Sequence, residues 1–186
     1  ISMLTLKKIS FNNSLSQETM CFSAEVYWDS RFIGFGENRG NGGETWVRNY
    51  GERKNATAGA DLAAAEDWVK TQPLLDECGE QTSFGGTPDF HDLPSYVDSL
   101  VADWDIRRTY KRSLTRKLKA ETWFVPQDGR VLVIKRAMSD AVSAYVKNNH
   151  PGAVILNSLP IEDAITMCIK DEQARMRVER DKKGSN

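Results

Sequence analysis

The sequence predicts an α+β protein, and three observations carry that reading. Runs rich in aromatic and β-branched residues crowd the first fifty positions, helical spacing of apolar residues takes over from residue 60, and an Asp-Gly turn signal at 128–129 separates a long helix from two further ones. The expected architecture is an N-terminal antiparallel β-meander packed with a helix, followed by a long basic helix, a β-hairpin and two C-terminal helices.

The meander begins with a strand over residues 3–10. After the polar turn FNNSLSQET, residues 20–28 place Met20, Phe22, Ala24, Val26 and Trp28 on one face and Cys21, Ser23, Glu25 and Tyr27 on the other. Asp29-Ser30-Arg31 is short enough for a hairpin turn into a strand at 32–35, and Thr45-Trp46-Val47 reads as a strand beyond a glycine-rich connection. The meander should close near residue 50.

GERKNATAG is polar, and then residues 60–72 read as a helix with Leu62, Ala65, Trp68 and Val69 on one side, stopped by Pro73. Residues 74–92 have glycines, Pro88 and no sustained period, which predicts a loop or linker. The expected organisation is therefore a 3–73 region, a 74–92 linker and a 93–180 helix-hairpin-helix region, or one compact domain containing all three.

Asp92 and Pro94 suit the start of a helix in which Leu93, Tyr96, Val97, Leu100, Val101 and Trp104 recur at helical spacing. Continued on the same wheel, that apolar arc meets Arg107, Arg108 and Lys111 before Leu114 and Leu118 resume it. Residues 122–125 and 131–135 form the expected hairpin, 138–148 a helix, 153–156 a short strand, and Pro160 opens the last helix. The charged continuation DEQARMRVERDKKGSN is expected to fray.

Composition narrows the function classes. A formal net charge of -1 gives no global attraction to DNA or anionic membranes, so any electrostatic role must be local. The apolar runs are far short of the roughly 20 residues that a membrane helix needs, and the N-terminus lacks a signal-peptide design, which predicts a cytoplasmic protein. Ile1-Ser2 ahead of Met3 reads as a cloning scar. Cys21, Cys78 and Cys168 are widely separated, with no CxxC pair and only two histidines, so neither a disulfide framework nor a metal site is expected.

The stretch GFGENRGNGGE, residues 34–44, holds five glycines. P-loop and dinucleotide fingerprints need a helix N-terminus after the glycines, whereas a strand follows here and no GK[ST] ending is present. Two readings remain: an anion nest of backbone amides with Asn38, Arg39 and Asn41 as side-chain partners, or a hairpin tip or bulge that uses glycine for positive φ.

The other local signal is RRTYKRSLTRKLK, residues 107–119, with seven basic residues and no acidic one. Clustered cations neutralise phosphates, and Tyr110 and Trp104 could add stacking. The competing reading is cationic stems lying along apolar surface with their heads in water. His91 and His150 sit in loop-like contexts and read as polar surface residues. Glu18, Glu25, Asp29 and Glu37 are scattered acids, and the five tryptophans are assigned mostly to the core.

In order along the chain, ISFNNSLSQET, FSAEVYWDSRFIGFGENRGNGGE, LPSYVDSLV with its Lys/Arg-rich continuation, and AVILNSLPIEDAI resemble a group of small phage-borne and prophage-borne proteins without an assigned activity. The resemblance covers most of the chain in outline. It implies an accessory viral protein in the bacterial host cytoplasm that opposes host defence by occupying a defence protein or sequestering a nucleotide-like signal. It brings no functional residue with it.

The combined expectation is a binding protein and not an enzyme, with no cofactor and a lean toward a homodimer. Asn38, Arg39, Asn41, Arg107, Arg108 and Lys111 are the candidate ligand-binding residues. The first alternative is nucleic-acid binding through Arg112, Arg116, Lys117 and Lys119; the second is a phosphate-handling enzyme built on the glycine loop.

Overall fold

The computed structural model describes residues 3–49 and 55–184 and has the α+β architecture that the sequence predicts. Part of the polar stretch that follows Tyr50 lies outside the described residues. Two compact units form: residues up to Asp76 with Gln81–Trp104, and Glu77–Glu80 with residues from Asp105 onward. One division falls inside a long helix, whose first half packs on one core and whose second half packs on another, and a piece of the 74–92 segment, Glu77–Glu80, joins the second unit.

In the first unit, β1 (Leu4–Phe11), β2 (Cys21–Trp28), β3 (Arg31–Arg39) and β4 (Trp46–Arg48) form an antiparallel meander in the order β1-β2-β3-β4. The alternation expected for β2 holds: Phe22, Ala24, Val26 and Trp28 are buried. Asp29 and Ser30 both take positive φ, which matches the twist of a tight hairpin between Trp28 and its partner Arg31.

Helix α1 (Ala58–Val69) buries Ala58, Asp61, Ala65 and Val69. Leu62 and Trp68 pack partly against the same core, which Leu93, Val97 and Val101 complete. Asp61 is the buried carboxylate of α1. Arg31 donates to both of its oxygens at 2.9 and 2.6 Å, Asn55 and Thr57 donate at 2.9 and 2.8 Å, and the guanidinium first and then the amide hold its pKa far below the usual carboxylate range.

The glycine-rich stretch is not one loop. β3 runs through Gly34 and Gly36, so the connection to β4 begins only at Gly40. A Cβ on Gly34 would lie 2.1 Å from the Arg48 carbonyl oxygen, so glycine there serves the close approach of β4.

The 74–92 segment is also more ordered than a linker. β5 (Ser83–Phe84) and β6 (Thr87–Pro88) pair as a small hairpin, with further bridges from Pro73 to Phe90 and from Leu75 to Gln81. The 28-residue helix α2 (Leu93–Ala120) follows, opened by Asp92, whose carboxylate accepts the Ser95 amide while the Ser95 hydroxyl accepts the Asp92 amide.

In the second unit, β7 (Thr122–Val125) is flanked by β8 (Leu132–Ile134) and, after α3 (Asp140–Asn149), by β9 (Val154–Ile155), giving the antiparallel order β8-β7-β9. Asn157 ties the end of α2 to this sheet, donating to the Leu118 and Glu121 carbonyls and accepting the Trp123 amide, all at 2.8 Å. Leu114 packs with Leu156, Ala164, Ile165 and Cys168.

The last helix, α4 (Ile161–Gly184), does not fray where the sequence suggested. Asp171 and Arg175 pair at 2.6 Å one turn apart, and Arg177 and Arg180 reach Glu80, so the charged turns are held by ion pairs. Among the described residues, no helix is long and apolar enough to cross a membrane.

Candidate functional site

The residues singled out from the sequence fall in both units. Asn38, Arg39 and Asn41 belong to the first unit; the basic residues of 107–119 all belong to the second.

Asn38 is buried and its side chain is saturated. Its amide nitrogen donates to the Gly43 carbonyl and the Thr45 hydroxyl, both at 3.0 Å, while its oxygen accepts the Thr19 hydroxyl at 2.8 Å and the Gly40 amide at 2.9 Å. Two donors and two acceptor positions are the full capacity of an amide, so nothing of Asn38 is left for a ligand. Gly42 donates its amide to Thr19 at 3.3 Å, and the Gly40 carbonyl accepts the amides of Gln17 and Glu18. A nest needs amides that converge on open space; two of these point into the protein's own acceptors. The Thr45 hydroxyl donates a hydrogen bond to Asp98, whose pKa burial raises.

Arg39 and Asn41 remain exposed and line a groove of about 290 Å³ with Trp46 and Arg48. Trp46 is 59% exposed, against the expectation of a core position, because three-residue β4 forms the sheet edge; the Arg48 guanidinium lies 5.1 Å from its ring centroid. Glu37 and Glu44 share this groove, so its charges balance and it is poorly matched to a phosphate. The other scattered acids are engaged separately. Glu25 accepts from Lys8 and Tyr27, Asp29 accepts the Met3 amide, and Glu37 pairs with Arg48 at 3.5 Å.

On α2 the trio that interrupts the apolar arc is bound within the protein. Arg107 donates to Thr166 and Lys111 pairs with Glu162, both residues of α4, while Arg108 pairs with Asp105 one turn back. These cations therefore flank a helix-helix contact, which explains their place on the arc. Lys117 sits 5.4 Å from the Trp123 ring centroid. The expected stacking platform is likewise committed, since Tyr110 donates its hydroxyl to Glu172 and Trp104 packs against Phe11. Arg112, Arg116 and Lys119 are exposed.

Behind them, Tyr110, Lys117, Trp123, Cys168, Asp171 and Arg175 contribute to a groove of about 530 Å³. Burial first, with the Asp171 charge next, pushes the Cys168 thiol up to about 11, so it is a poor nucleophile at neutral pH. Burial and then the Glu172 hydrogen bond hold the Tyr110 phenol protonated far above its ordinary range. These side chains stabilise one another rather than expose a reactive group.

The arrangement least explained by folding is the hairpin segment, residues 73–90. Its backbone is closed by hydrogen bonds from Leu74 to Asp89, Thr82 to Leu74 and Asp89 to Thr82, at 2.9–3.0 Å, with His91 donating to Gln72 at 3.1 Å. Three of its apolar side chains are exposed: Phe84 is 87% exposed, with Leu75 and Phe90 near half. Gly85 and Gly86 form the two-residue tip at positive φ. At its base a groove of about 380 Å³ runs past Leu74, Leu75, His91 and Tyr96.

His91 is not the surface histidine that its sequence context suggested. It is buried, its Nδ1 lies 3.1 Å from the Ser95 hydroxyl, and its ring meets Tyr96 edge to face; burial lowers its pKa against the weaker pull of Asp92. Hydrophobic periodicity does not reveal this segment, because its order comes from backbone bridges and a glycine turn and not from a repeated apolar face. The Phe-Gly-Gly-Thr run, a two-glycine turn between strand-compatible residues, was the available signal.

Comparison with known proteins finds no matching family model, no matching curated protein and no matching solved structure.

Proposed function

We propose that this chain is a non-enzymatic phage accessory protein that binds a host protein through the hairpin at residues 73–90, with counter-defence in the bacterial cytoplasm as its role. The observation that carries the binding reading is Phe84, 87% exposed on a hairpin with a hydrogen-bonded backbone. Fully burying such a side chain is worth about 1.5–3 kcal/mol, so holding it in water forgoes stability that a partner can recover. A rigid aromatic anchor also loses little conformational freedom on binding. The biological role rests on the resemblance to phage-borne proteins.

The partner's chemistry follows from the surroundings. In the first-unit part of this segment Asp89 and Asp92 stand beside the exposed Phe90 in sequence, and no Lys or Arg occurs from Gln81 to Asp92. An apolar pocket rimmed by basic residues is the complementary surface. The nucleotide-like signal is the weaker partner, because Arg39 and Asn41 share their groove with two acids.

Affinity capture from the bacterial host, comparing wild type with Phe84→Ser by quantitative mass spectrometry, tests the reading. The expected result is one host protein recovered in near-equal amount with wild type and lost with the variant. Retention of that protein by Phe84→Ser would remove the hairpin from the interface. A native mass spectrum of the same wild-type sample tests the lean toward a homodimer, and a small molecule released on denaturation would favour the nucleotide reading instead.

A further inference from the structure

The seven cations of residues 107–119 divide into two sets once their contacts are known. Arg107, Arg108 and Lys111 have partners within the second unit, and Lys117 lies against Trp123. What remains is Arg112, Arg116 and Lys119, which are exposed and make no described hydrogen bond or ion pair. Their spacing is i, i+4, i+7. At about 100° per residue they fall within about 60° of one another on α2, and Leu114, buried in the core of this unit, lies about 160° from both arginines. The sequence spreads its cations around the whole wheel; the structure leaves one straight stripe, about 10 Å long, facing away from the core.

The stripe is costly to the helix that carries it. Arg112 and Arg116 are like charges one turn apart, and Arg116 and Lys119 stand at i, i+3, arrangements that destabilise a helix by about 0.2–0.5 kcal/mol each. No acidic residue occurs between Ile106 and Ala120 to offset them. Only Lys119 gains from its place in the last turn, near the negative end of the helix dipole.

We propose that Arg112, Arg116 and Lys119 form a docking stripe for the phosphate backbone of duplex nucleic acid. Three cations on a stiff helix match a regular array of phosphates, and guanidinium groups bind phosphate oxygens in bidentate fashion. Duplex is favoured over single strands because Tyr110 and Trp104, the aromatics available for base stacking on α2, are engaged with Glu172 and Phe11. Because phosphate contacts carry no sequence information directly, binding through the stripe is independent of sequence. The stripe belongs to the second unit and Phe84 to the first, and neither proposal depends on the other.

The test is fluorescence anisotropy of a short labelled DNA duplex of random sequence against the whole protein, between about 50 and 200 mM salt. Three neutralised phosphates predict a slope of about −2.7 in log K against log salt. Arg112→Gln with Arg116→Gln should reduce affinity at the lowest salt at least tenfold and bring the slope to about −0.9. Phe84→Ser should bind DNA as wild type does. Because the glutamines relieve like-charge repulsion, the melting temperature of the double variant should hold or rise. Absent binding at low salt, an unchanged slope in the double variant, or a fall of several degrees in its melting temperature would each overturn the proposal. Poly-glutamate binding as tight as the duplex would do so too, by assigning the stripe to an acidic protein.

Discussion

Two glycine turns in the first unit look alike in sequence and differ in the fold. At residues 40–43 the turn is packed: a Cβ on Gly40 would lie 2.2 Å from the Leu15 carbonyl oxygen, and the amides of Gly40 and Gly42 bond to Asn38 and Thr19. At Gly85 and Gly86 the turn is open, with nothing within 4 Å of an added Cβ and Phe84 beside it in water. Glycine content marks where the backbone bends. It is the destination of the neighbouring polar and apolar groups that separates a structural turn from a presenting one.

The most disruptive way to probe the difference is at Asn38. Replacing it with Ala strands the Gly40 amide and takes one partner each from the Gly43 carbonyl and the hydroxyls of Thr19 and Thr45. With each buried unsatisfied group worth about 1–3 kcal/mol and some rescue by water, a loss of about 3 kcal/mol is expected, or roughly 6–12 °C in melting temperature. A shift under about 2 °C would mean that the network is not what holds this turn.

Paired alanine substitutions sharpen the comparison. Gly40→Ala combines positive φ with a backbone clash that no side-chain motion relieves, and about 3 kcal/mol should be lost; Gly85→Ala meets only the left-handed backbone penalty of about 1 kcal/mol. Urea titration of both variants reads the gap. Equal losses would show that the two turns are packed alike.

Much of this fold was legible because its signals are local. The Phe22 to Trp28 alternation, the Asp29-Ser30 turn and the Asp92 cap each depend on neighbours in sequence, and each was read correctly in kind. The failures have a common cause in tertiary contact. Gly34 belongs to a strand because β4 passes its backbone, His91 is buried because Tyr96 and Ser95 close over it, and the α4 tail stays helical because Glu80 holds Arg177 and Arg180. The site was less legible still. Asn38 was chosen as a ligand residue for its chemistry, and that same chemistry is what the fold consumes.

The base of the presenting hairpin should respond to pH, by a smaller amount. His91 has its pKa lowered from the ordinary 6.5, chiefly by burial, so the unfolded chain binds the proton more readily than the folded one. Its contribution is therefore complete above about pH 6.5 and is lost as pH falls below that value toward the depressed folded pKa. Thermal melts from neutral to mildly acid pH should show this decline, and His91→Gln should flatten it over that window. A variant that declines as steeply as wild type would assign the effect to other groups.

The smallest expected effect is the most informative for function. Phe84→Ser removes the largest exposed aromatic surface from the hairpin, yet the ring has no described packing partner to lose and the Ser83–Phe84 strand keeps its pairing with Thr87 through the backbone. Stability should change by no more than about 0.5 kcal/mol, as at other exposed sites. Such silence is what distinguishes a side chain held ready for a partner from one that merely failed to be buried: a residue that contributes to the hairpin's own fold would lower the melting temperature when replaced, and one that serves only an interface would not. A fall of more than about 4 °C would correspond to over 1 kcal/mol and return Phe84 to the protein's own packing. An unchanged melt alongside loss of the captured protein would fix its role at the interface, since no folding defect would remain to account for the loss.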